Sequence, residues 1–306
     1  MNTAKPYILA EIITIRGMGE SNGKLDGKIY LAFSLKSRYE SLDLEEISML
    51  LTDKVALVTG GGTGIGKAIS AALARNGAKV AIASRSPANL KRTQDLLQSS
   101  GHHVFGVEMD VRKKDQVEKG VAQVARAWER IHILVNNAGV SGMNHIDSAD
   151  DTRWHDILET NLNGTYFTTK ETLKYMNDHT SGRIINVSSV LGKFGVSGYS
   201  AYCTSKHGVI GFTRALALEV IARGITVNAI CPGWVDTEMA QQGIRESAAN
   251  QGITPEEFKG QAIAAMPIKR FLEAEEIAQL VVYLCSPAAG GITGQAINIC
   301  GGQTMS

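Results

Sequence analysis

Two stretches of this sequence hold a tyrosine and a lysine four positions apart, Tyr166/Lys170 and Tyr202/Lys206. On a helix that spacing puts both side chains on one face, a turn apart. A free phenol titrates near about 10, too high to serve as a base at neutral pH. A lysine ammonium about 4 Å from the phenol oxygen would be worth on the order of 4 kcal/mol at an effective dielectric near 20. That corresponds to roughly three pKa units, enough to make the phenol a working acid and base at a carbonyl or hydroxyl oxygen. The motif alone does not choose between the two pairs.

A second chemical signal lies upstream. Val55-Ala56-Leu57-Val58-Thr59 reads as a buried strand and runs into Gly60-Gly61-Gly62-Thr63-Gly64-Ile65-Gly66, after which helical periodicity begins. Glycines at such a turn let the backbone approach a pyrophosphate, and the helix N-terminus adds unpaired N–H groups and positive dipole. The spacing is GxxxGxG rather than GxGxxG. Gly60, Thr63, Gly64, Ile65 and Gly66 are the candidate phosphate cradle; a plain tight turn is the alternative. At the end of the next strand, where an NAD site usually places a carboxylate on the ribose 2′-hydroxyl, the residues are Ala83-Ser84-Arg85-Ser86. Ser84 and Arg85 suit a 2′-phosphate, because a guanidinium binds it bidentately. NADP(H) is the preferred cofactor on this reading, with NAD(H) possible.

These residues need a scaffold, and the hydrophobic pattern supplies one. Apolar runs at Val55–Thr59, Val80–Ser84, Val104–Met109, Ile133–Asn136, Ile184–Val187, Thr226–Ile230 and Ala296–Ile299 alternate with helical patterns. The helices are expected at Ile65–Asn76, Ala88–Ser99, Gln116–Glu129, Trp154–Met176, Ala201–Ile221 and Glu275–Cys285. Continuous apolar strands alternating with helices predict an α/β fold, a Rossmann-type doubly wound parallel sheet of about seven strands flanked by helices. Residues 237–270 form a long polar interruption with a weak helical pattern, expected to be a mobile lid. Residues 1–48 differ in character. They hold two candidate strands, Tyr7–Ile15 and Lys28–Ser34, and no chemical motif, and are expected to be an appendage to a single functional domain at 49–306.

Composition narrows the function. Lys and Arg number 31 against 30 Asp and Glu, so no basic excess points to nucleic acid. No apolar stretch reaches the roughly 18 residues of a membrane span. Cys203, Cys231, Cys285 and Cys300 are far apart and form no CxxC, and the seven histidines include no HExxH. They read as core thiols of a reducing, cytoplasmic compartment, with no metal site.

The second half carries an ordered set of motifs. Asn136-Asn137-Ala138-Gly139 closes the fourth strand, and Asn161 lies in Glu-Thr-Asn-Leu-Asn-Gly. Ser188-Ser189 closes the fifth strand, Tyr202-Cys-Thr-Ser-Lys206 follows, and Pro232-Gly233 ends the sixth. With the TGGGTGIG loop ahead of it, this set closely resembles the short-chain dehydrogenase/reductase family over about residues 51–303. The family places its active serine 13 residues before the tyrosine; Ser189 meets this for Tyr202, whereas Arg153 precedes Tyr166 by that interval. The resemblance therefore implies Tyr202 as acid/base and Tyr166/Lys170 as an ordinary helical pair; Tyr199 is the remaining rival. It implies that Lys206 also holds the nicotinamide ribose and that Ser189 bonds the carbonyl oxygen. Asn161 would hold a water relaying protons from Lys206. Asp110 and Val111 would lie at the adenine, and Asn137, Ala138 and Gly139 beside the adenosine ribose. Pro232, Gly233, Val235 and Thr237 would line the nicotinamide. For Asn137 and Asp110 a purely structural tie between strand ends is the strongest alternative.

Within the family, Tyr202-Cys-Thr-Ser-Lys-His-Gly-Val-Ile-Gly-Phe and Ile299-Cys-Gly-Gly are similar to 3-oxoacyl-thioester reductases and to aromatic polyketide ketoreductases. This implies NADPH-dependent reduction of a 3-oxoacyl thioester, linked to coenzyme A or acyl carrier protein; the alternative is a dehydrogenase of a sugar, polyol or cyclic secondary alcohol. Of two basic residues expected near the mouth in carrier-protein-linked members, Arg223 fits one and Thr180 stands in place of the other. Trp234 reads as pocket wall or core. A homotetramer or homodimer is implied.

Overall fold

The computed structural model describes residues 49–176 and 181–305. The expectations for residues 1–48 and for Thr180 lie outside the described residues. Seven strands, all parallel, form one sheet in the order β3-β2-β1-β4-β5-β6-β7. They are β1 Val55–Thr59, β2 Lys79–Ser84, β3 Val104–Glu108, β4 Ile133–Asn136, β5 Arg183–Val187, β6 Thr226–Pro232 and β7 Ala296–Ile299. The strand expectations hold to within one or two residues.

The sheet is covered on both faces, which is why its strands read as unbroken apolar runs. Alternate residues of β1 face opposite ways. Ala56 and Val58 join a cluster with Ile69 and Leu73 of α1 (Gly64–Arg75) and Ile277 and Val281 of α9 (Ala274–Cys285). Leu57 joins Val117 and Val121 of α3 (Lys114–Trp128) and Leu216 of α6 (Ser200–Val220) on the other face. The helix α2 (Pro87–Ser99) crosses from β2 to β3.

From β1 the chain winds outward to β2 and β3, and later returns to place β4 on the other side of β1. The sheet reverses there, and a crevice opens at the carboxyl ends of β1 and β4. Beneath it, a buried amide chain crosses the strands. Asn136 Nδ2 donates to Asn186 Oδ1 at 2.9 Å, and Asn186 Nδ2 donates to Thr213 Oγ1 of α6 at 2.8 Å.

Two regions differ from the periodicity. The helix expected over Trp154–Met176 begins as α4 (Thr152–Leu158), passes through a π-helical turn at Glu159–Asn163, and continues as α5 (Gly164–Thr172). Such turns concentrate at functional sites, and Asn161 lies in this one. Residues 237–270 contain two helices, α7 (Glu238–Gln251) and α8 (Pro255–Ala265). Thr237 caps α7 through Ala240 N, and Thr254 with Glu257 forms a capping box on α8. Ile244, Met266 and Phe271 give the two helices a small core of their own, with Trp234 and Phe258 packed against it. None of the described helices is long and apolar enough to cross a membrane.

Replacing Asn186 by Ala would strand buried polar groups on both neighbours. We expect a loss of roughly 1–3 kcal/mol in urea unfolding, the cost of leaving such groups unpaired. An unchanged midpoint would show that the amide chain does not hold β5 to α6.

Candidate active site

The crevice is a cleft of about 1210 Å³ along the carboxyl ends of the strands. At one end stands the glycine loop. Gly60 and Gly64 adopt φ of +65° and +50°, a region that disfavours side chains. A Cβ on Gly66 would overlap the Gly60 carbonyl and the Asn137 amide. Thr63 is the N-cap of α1, yet its hydroxyl makes no capping bond and the first turn carries no acidic residue. By contrast Ser86, Thr237 and Thr254 all cap their helices. The first-turn N–H groups of α1 therefore remain available to an anion. At the other end Gln303, which lines the cleft, carries a buried Oε1 with no hydrogen-bond partner, close to Gly233. An open phosphate cradle and an unused acceptor fit a dinucleotide.

The cleft brings together Gly60, Thr63, Gly64, Ile65, Gly66, Asn137, Ala138, Gly139, Ser189, Tyr202, Lys206, Pro232, Gly233, Val235 and Thr237. Ser84, Arg85, Asp110, Val111 and Asn161 are not among its lining residues. Ser84 Oγ accepts from Ser86 N at 3.2 Å, Arg85 is exposed, and Val111 is buried against the backbone position of Gly164. The Asp110 carboxylate is already engaged. Arg112 Nη2 donates to its Oδ2 at 2.6 Å, and Arg112 Nε and backbone N to its Oδ1 at 3.0 Å. Burial works to raise this carboxyl, but the bonds from Arg112 outweigh it and hold the group below the usual carboxylate range. Asp110 is thus one half of an ion pair at the end of β3. Asn137 serves as a tie as well as a wall, since its Nδ2 donates to the carbonyls of Thr59 at 3.0 Å and Gly60 at 3.2 Å.

Tyr202 and Lys206 sit one turn apart at the start of α6. Ser189 caps a single 3₁₀ turn at Val190–Gly192 through Leu191 N at 3.1 Å, and its hydroxyl acts to lower the Tyr202 phenol. The electrostatics differ from expectation. Burial pushes the Tyr202 phenol up to about 12, and the Ser189 hydroxyl only partly opposes it. Lys206 contributes no resolvable lowering. Its Nζ lies 5.5 Å from the centre of the Tyr202 ring and donates to the Val187 carbonyl at 2.8 Å. Burial pushes the Lys206 amine down to about 8. Desolvation therefore outweighs the charge effect, and the phenol keeps its proton, the form needed to protonate a carbonyl oxygen.

Asn161 is held by its side-chain amide. Its Oδ1 accepts from Val140 N at 2.8 Å, and its Nδ2 donates to Val140 O at 2.9 Å and Ser205 Oγ at 3.1 Å. Both amide hydrogens are engaged in strapping the loop after β4 to α6. The rival pair is resolved by placement: Lys170 Nζ donates to Tyr166 Oη at 3.3 Å on the exposed side of α5. Tyr199 is buried, lines the cleft and bonds Ser247 of α7 at 3.1 Å, which ties it to the lid.

Several lining residues carry no motif in the sequence. Lys67 and Arg92 flank the glycine loop, while Arg153, Gln242 and Phe258 lie toward the lid. Only tertiary packing brings them to the cleft. Glu246 of α7 accepts from Met143 N at 3.1 Å and pairs with Arg153 at 3.6 Å, holding the lid against the loop after β4. Trp234 is both wall and core: it lines the cleft and stacks on Phe271 at 5.4 Å. Arg223 Nη2 donates to the carbonyls of Leu173 and Met176 at 3.0 and 2.8 Å. Among the described residues no cluster could hold a metal.

A parallel sheet reversing beside a glycine-lined helix N-terminus, with a Ser–Tyr–Lys set on the cleft floor, defines a dinucleotide-dependent oxidoreductase. Residues 54–248 match the family model described as short chain dehydrogenase, and the chain belongs to that family. It is 41% identical over 252 residues to a putative ketoacyl reductase of Streptomyces coelicolor, covering 81% of this chain and 96% of that protein. It is 38% identical over 257 residues to a 3-oxoacyl-[acyl-carrier-protein] reductase, FabG, of Vibrio cholerae, covering 84% and 100%. A crystal structure of an actinorhodin polyketide ketoreductase variant with NADPH superposes with TM-score 0.77 at 40% identity, covering 82% of this chain and 97% of that one. Levodione reductase superposes with TM-score 0.79 at 33% identity, covering 83% and 98%.

The Lys206 shift carries a sign. The folded chain binds fewer protons than the unfolded chain between about 8 and the ordinary 10.5. The buried charge costs stability below that window, and the cost is relieved as pH rises through it. The unfolding free energy of the wild type, relative to Lys206→Met, should therefore climb between about pH 8 and pH 10. A flat difference across that range would mean that the amine is not desolvated.

Proposed function

We propose that this protein is an NADP(H)-dependent ketoreductase that reduces the 3-oxo group of an acyl thioester to the 3-hydroxy product. The observation carrying this reading is that one cleft is lined by Ser189, Tyr202 and Lys206 and by the glycine loop at the start of α1. The dinucleotide, when bound, supplies hydride to the carbonyl carbon. Ser189 orients and polarises the carbonyl oxygen, and Tyr202 delivers the proton to the oxygen as negative charge develops there. A secondary alcohol is a far weaker acid than any phenol, so the transfer from Tyr202 is downhill even at its raised pKa. Lys206 presents a cation beneath the cleft and is the group placed to hold the nicotinamide ribose. Asn161 acts as a positioning residue, fixing the loop at Val140 against α6. Gly60, Thr63, Gly64, Ile65 and Gly66 would cradle the pyrophosphate, with Pro232, Gly233, Val235 and Thr237 along the nicotinamide.

The named activities of the relatives in Streptomyces and Vibrio support the ketone and its thioester, and the NADPH of the actinorhodin ketoreductase structure supports the cofactor. The Arg223 contacts with two backbone carbonyls leave the choice between a coenzyme A and a carrier-protein thioester to assay. Likeness to levodione reductase favours a second reading, a cyclic ketone or secondary alcohol as substrate. The four cysteines are free and buried, which suits a reducing cytoplasm.

Residues 49–306 are proposed as the functional domain. The family match begins at residue 54, and the relatives are covered almost end to end by 81–84% of this chain. Exposed apolar side chains on α5 and α6, Tyr166 and Leu218, support assembly into a homodimer or homotetramer.

Tyr202→Phe should lower kcat by about 10²–10⁴ with NADPH and an acetoacetyl thioester, while quenching of tryptophan fluorescence still reports NADPH binding. Unchanged turnover would remove Tyr202 from the chemistry. In a substrate panel, higher kcat/KM for a cyclic alcohol with NAD than for the thioester with NADPH would select the second reading. The chain begun at Met49 should melt cooperatively and bind NADPH. Failure to fold would make residues 1–48 part of the domain, and light scattering of both chains will tell whether those residues bear on assembly.

A further inference from the structure

Two cations that line the cleft, Lys67 and Arg92, have no role in the reading above. Arg92 lies on α2, and α2 is fixed to the glycine loop. Thr93 Oγ1 donates to the Gly62 carbonyl at 2.9 Å, and a Cβ on Gly62 would press on the Asn89 backbone at 3.3 Å. Ser86 caps the same helix through Asn89 N. The first two turns of α2 therefore have little freedom relative to Gly60–Gly66. Arg92 lines the cleft together with Gly60, Thr63 and Gly64. Its Nη2 donates to Asn89 Oδ1 at 3.1 Å, which orients the guanidinium.

Of the arginines that line the cleft, Arg153 pairs with Glu246 and Arg92 pairs with no carboxylate. Arg75, Arg112, Arg153 and Arg270 each pair with a carboxylate. Among the described residues no carboxylate pairs with Arg92 or with Arg85. The nearby negative charge of Asp110 is taken up by Arg112, with Nη2 on one carboxylate oxygen and Nε on the other. The end of the cleft beside β2 and α2 is thus left with a net positive field. It is also the end where a ribose 2′ substituent is read, at the close of β2 and the turn into α2. A planar fork of donors, pre-oriented and unpaired, matches a phosphate dianion better than a neutral hydroxyl.

We infer that Arg92 is a specificity-determining residue that, with Arg85, clasps the 2′-phosphate of NADP(H) and sets its preference over NAD(H). The inference rests on the cofactor reading above. It assigns to α2 a task that reading gave only to the end of β2.

Calorimetric titration of the full chain tests this without turnover, with NADP⁺, NAD⁺, 2′,5′-ADP and 5′-AMP as ligands. Arg92→Gln retains an amide that can meet Asn89 and sits on an exposed helix face, so folding should be preserved. We expect Kd for NADP⁺ and 2′,5′-ADP to rise about tenfold, with NAD⁺ and 5′-AMP changed by less than about twofold. Arg92→Lys should recover part of the loss. Equal weakening of NADP⁺ and NAD⁺ would place Arg92 on the pyrophosphate and overturn the inference, as would no change in either. A wild type that binds NAD⁺ as tightly as NADP⁺ would overturn the cofactor reading and this inference with it. A wild type that prefers NADP⁺, with Arg92→Gln keeping that preference, would sink the inference alone.

Discussion

Thr59 Oγ1 accepts from two consecutive backbone amides, Asn137 N and Ala138 N, both at 3.0 Å. Asn137 answers by donating its side-chain amide to the carbonyls of Thr59 and Gly60. This reciprocal knot joins the carboxyl ends of β1 and β4, the two strands between which the sheet reverses. It fixes the Gly60 carbonyl, against which Gly66 packs with no room for a side chain. It also sets the start of the loop that Asn161 straps to α6 through Val140 and Ser205. The phosphate cradle and the Tyr202–Lys206 helix are therefore indexed to one another through a short relay of hydrogen bonds. The knot extends the β1–β4 ladder, which ends at Val58 and Val135, into the loops that line the cleft.

The chemistry on the floor is governed by a contest between charge and solvation. A nearby ammonium can lower a phenol by several kcal/mol, but only when it faces the oxygen through a medium that carries the field. Here the ammonium lies over the ring and donates to the Val187 carbonyl. Desolvation then dominates both groups, holding Tyr202 protonated and making Lys206 easier to deprotonate. With its proton in place, the phenol is in the form that can give a proton to a carbonyl oxygen.

Much of this was legible in the order of residues, and the reasons differ by feature. The strands were visible because both faces of the sheet are buried, so Val55–Thr59 and Ile133–Asn136 are apolar without alternation. The glycine loop was visible because glycine is favoured at the positive φ of Gly60 and Gly64, and because Gly66 has no room for a Cβ. Tyr202 was separable from Tyr166 by the spacing to Ser189, and the structure puts one in the cleft and the other on the surface. Other features depend on side-chain partners that lie far away in sequence. The two helices at 238–265 gather around Trp234 and Phe271, which flank them in the chain, so their own periodicity is weak. Asn161 finds its bonds at Val140 and Ser205, and Asp110 finds Arg112, neither of which a strand-end motif announces. Arg92 reaches the cleft only because Thr93 pins α2 to Gly62.

The aromatic cluster under α7 and α8 is separate from the two large cores that hold the sheet. Thr237 and Thr254 cap the two helices locally, and links to the rest of the cleft include Tyr199 to Ser247, Glu246 to Met143 and Arg153, and Ile268 to Gly301. This part of the chain is built as a cassette. Amino-acid replacements there can reshape the cavity above the reacting carbon while the sheet and its proton donor stay where they are. A fold so divided lets evolution retune what is accepted without rebuilding what is done to it.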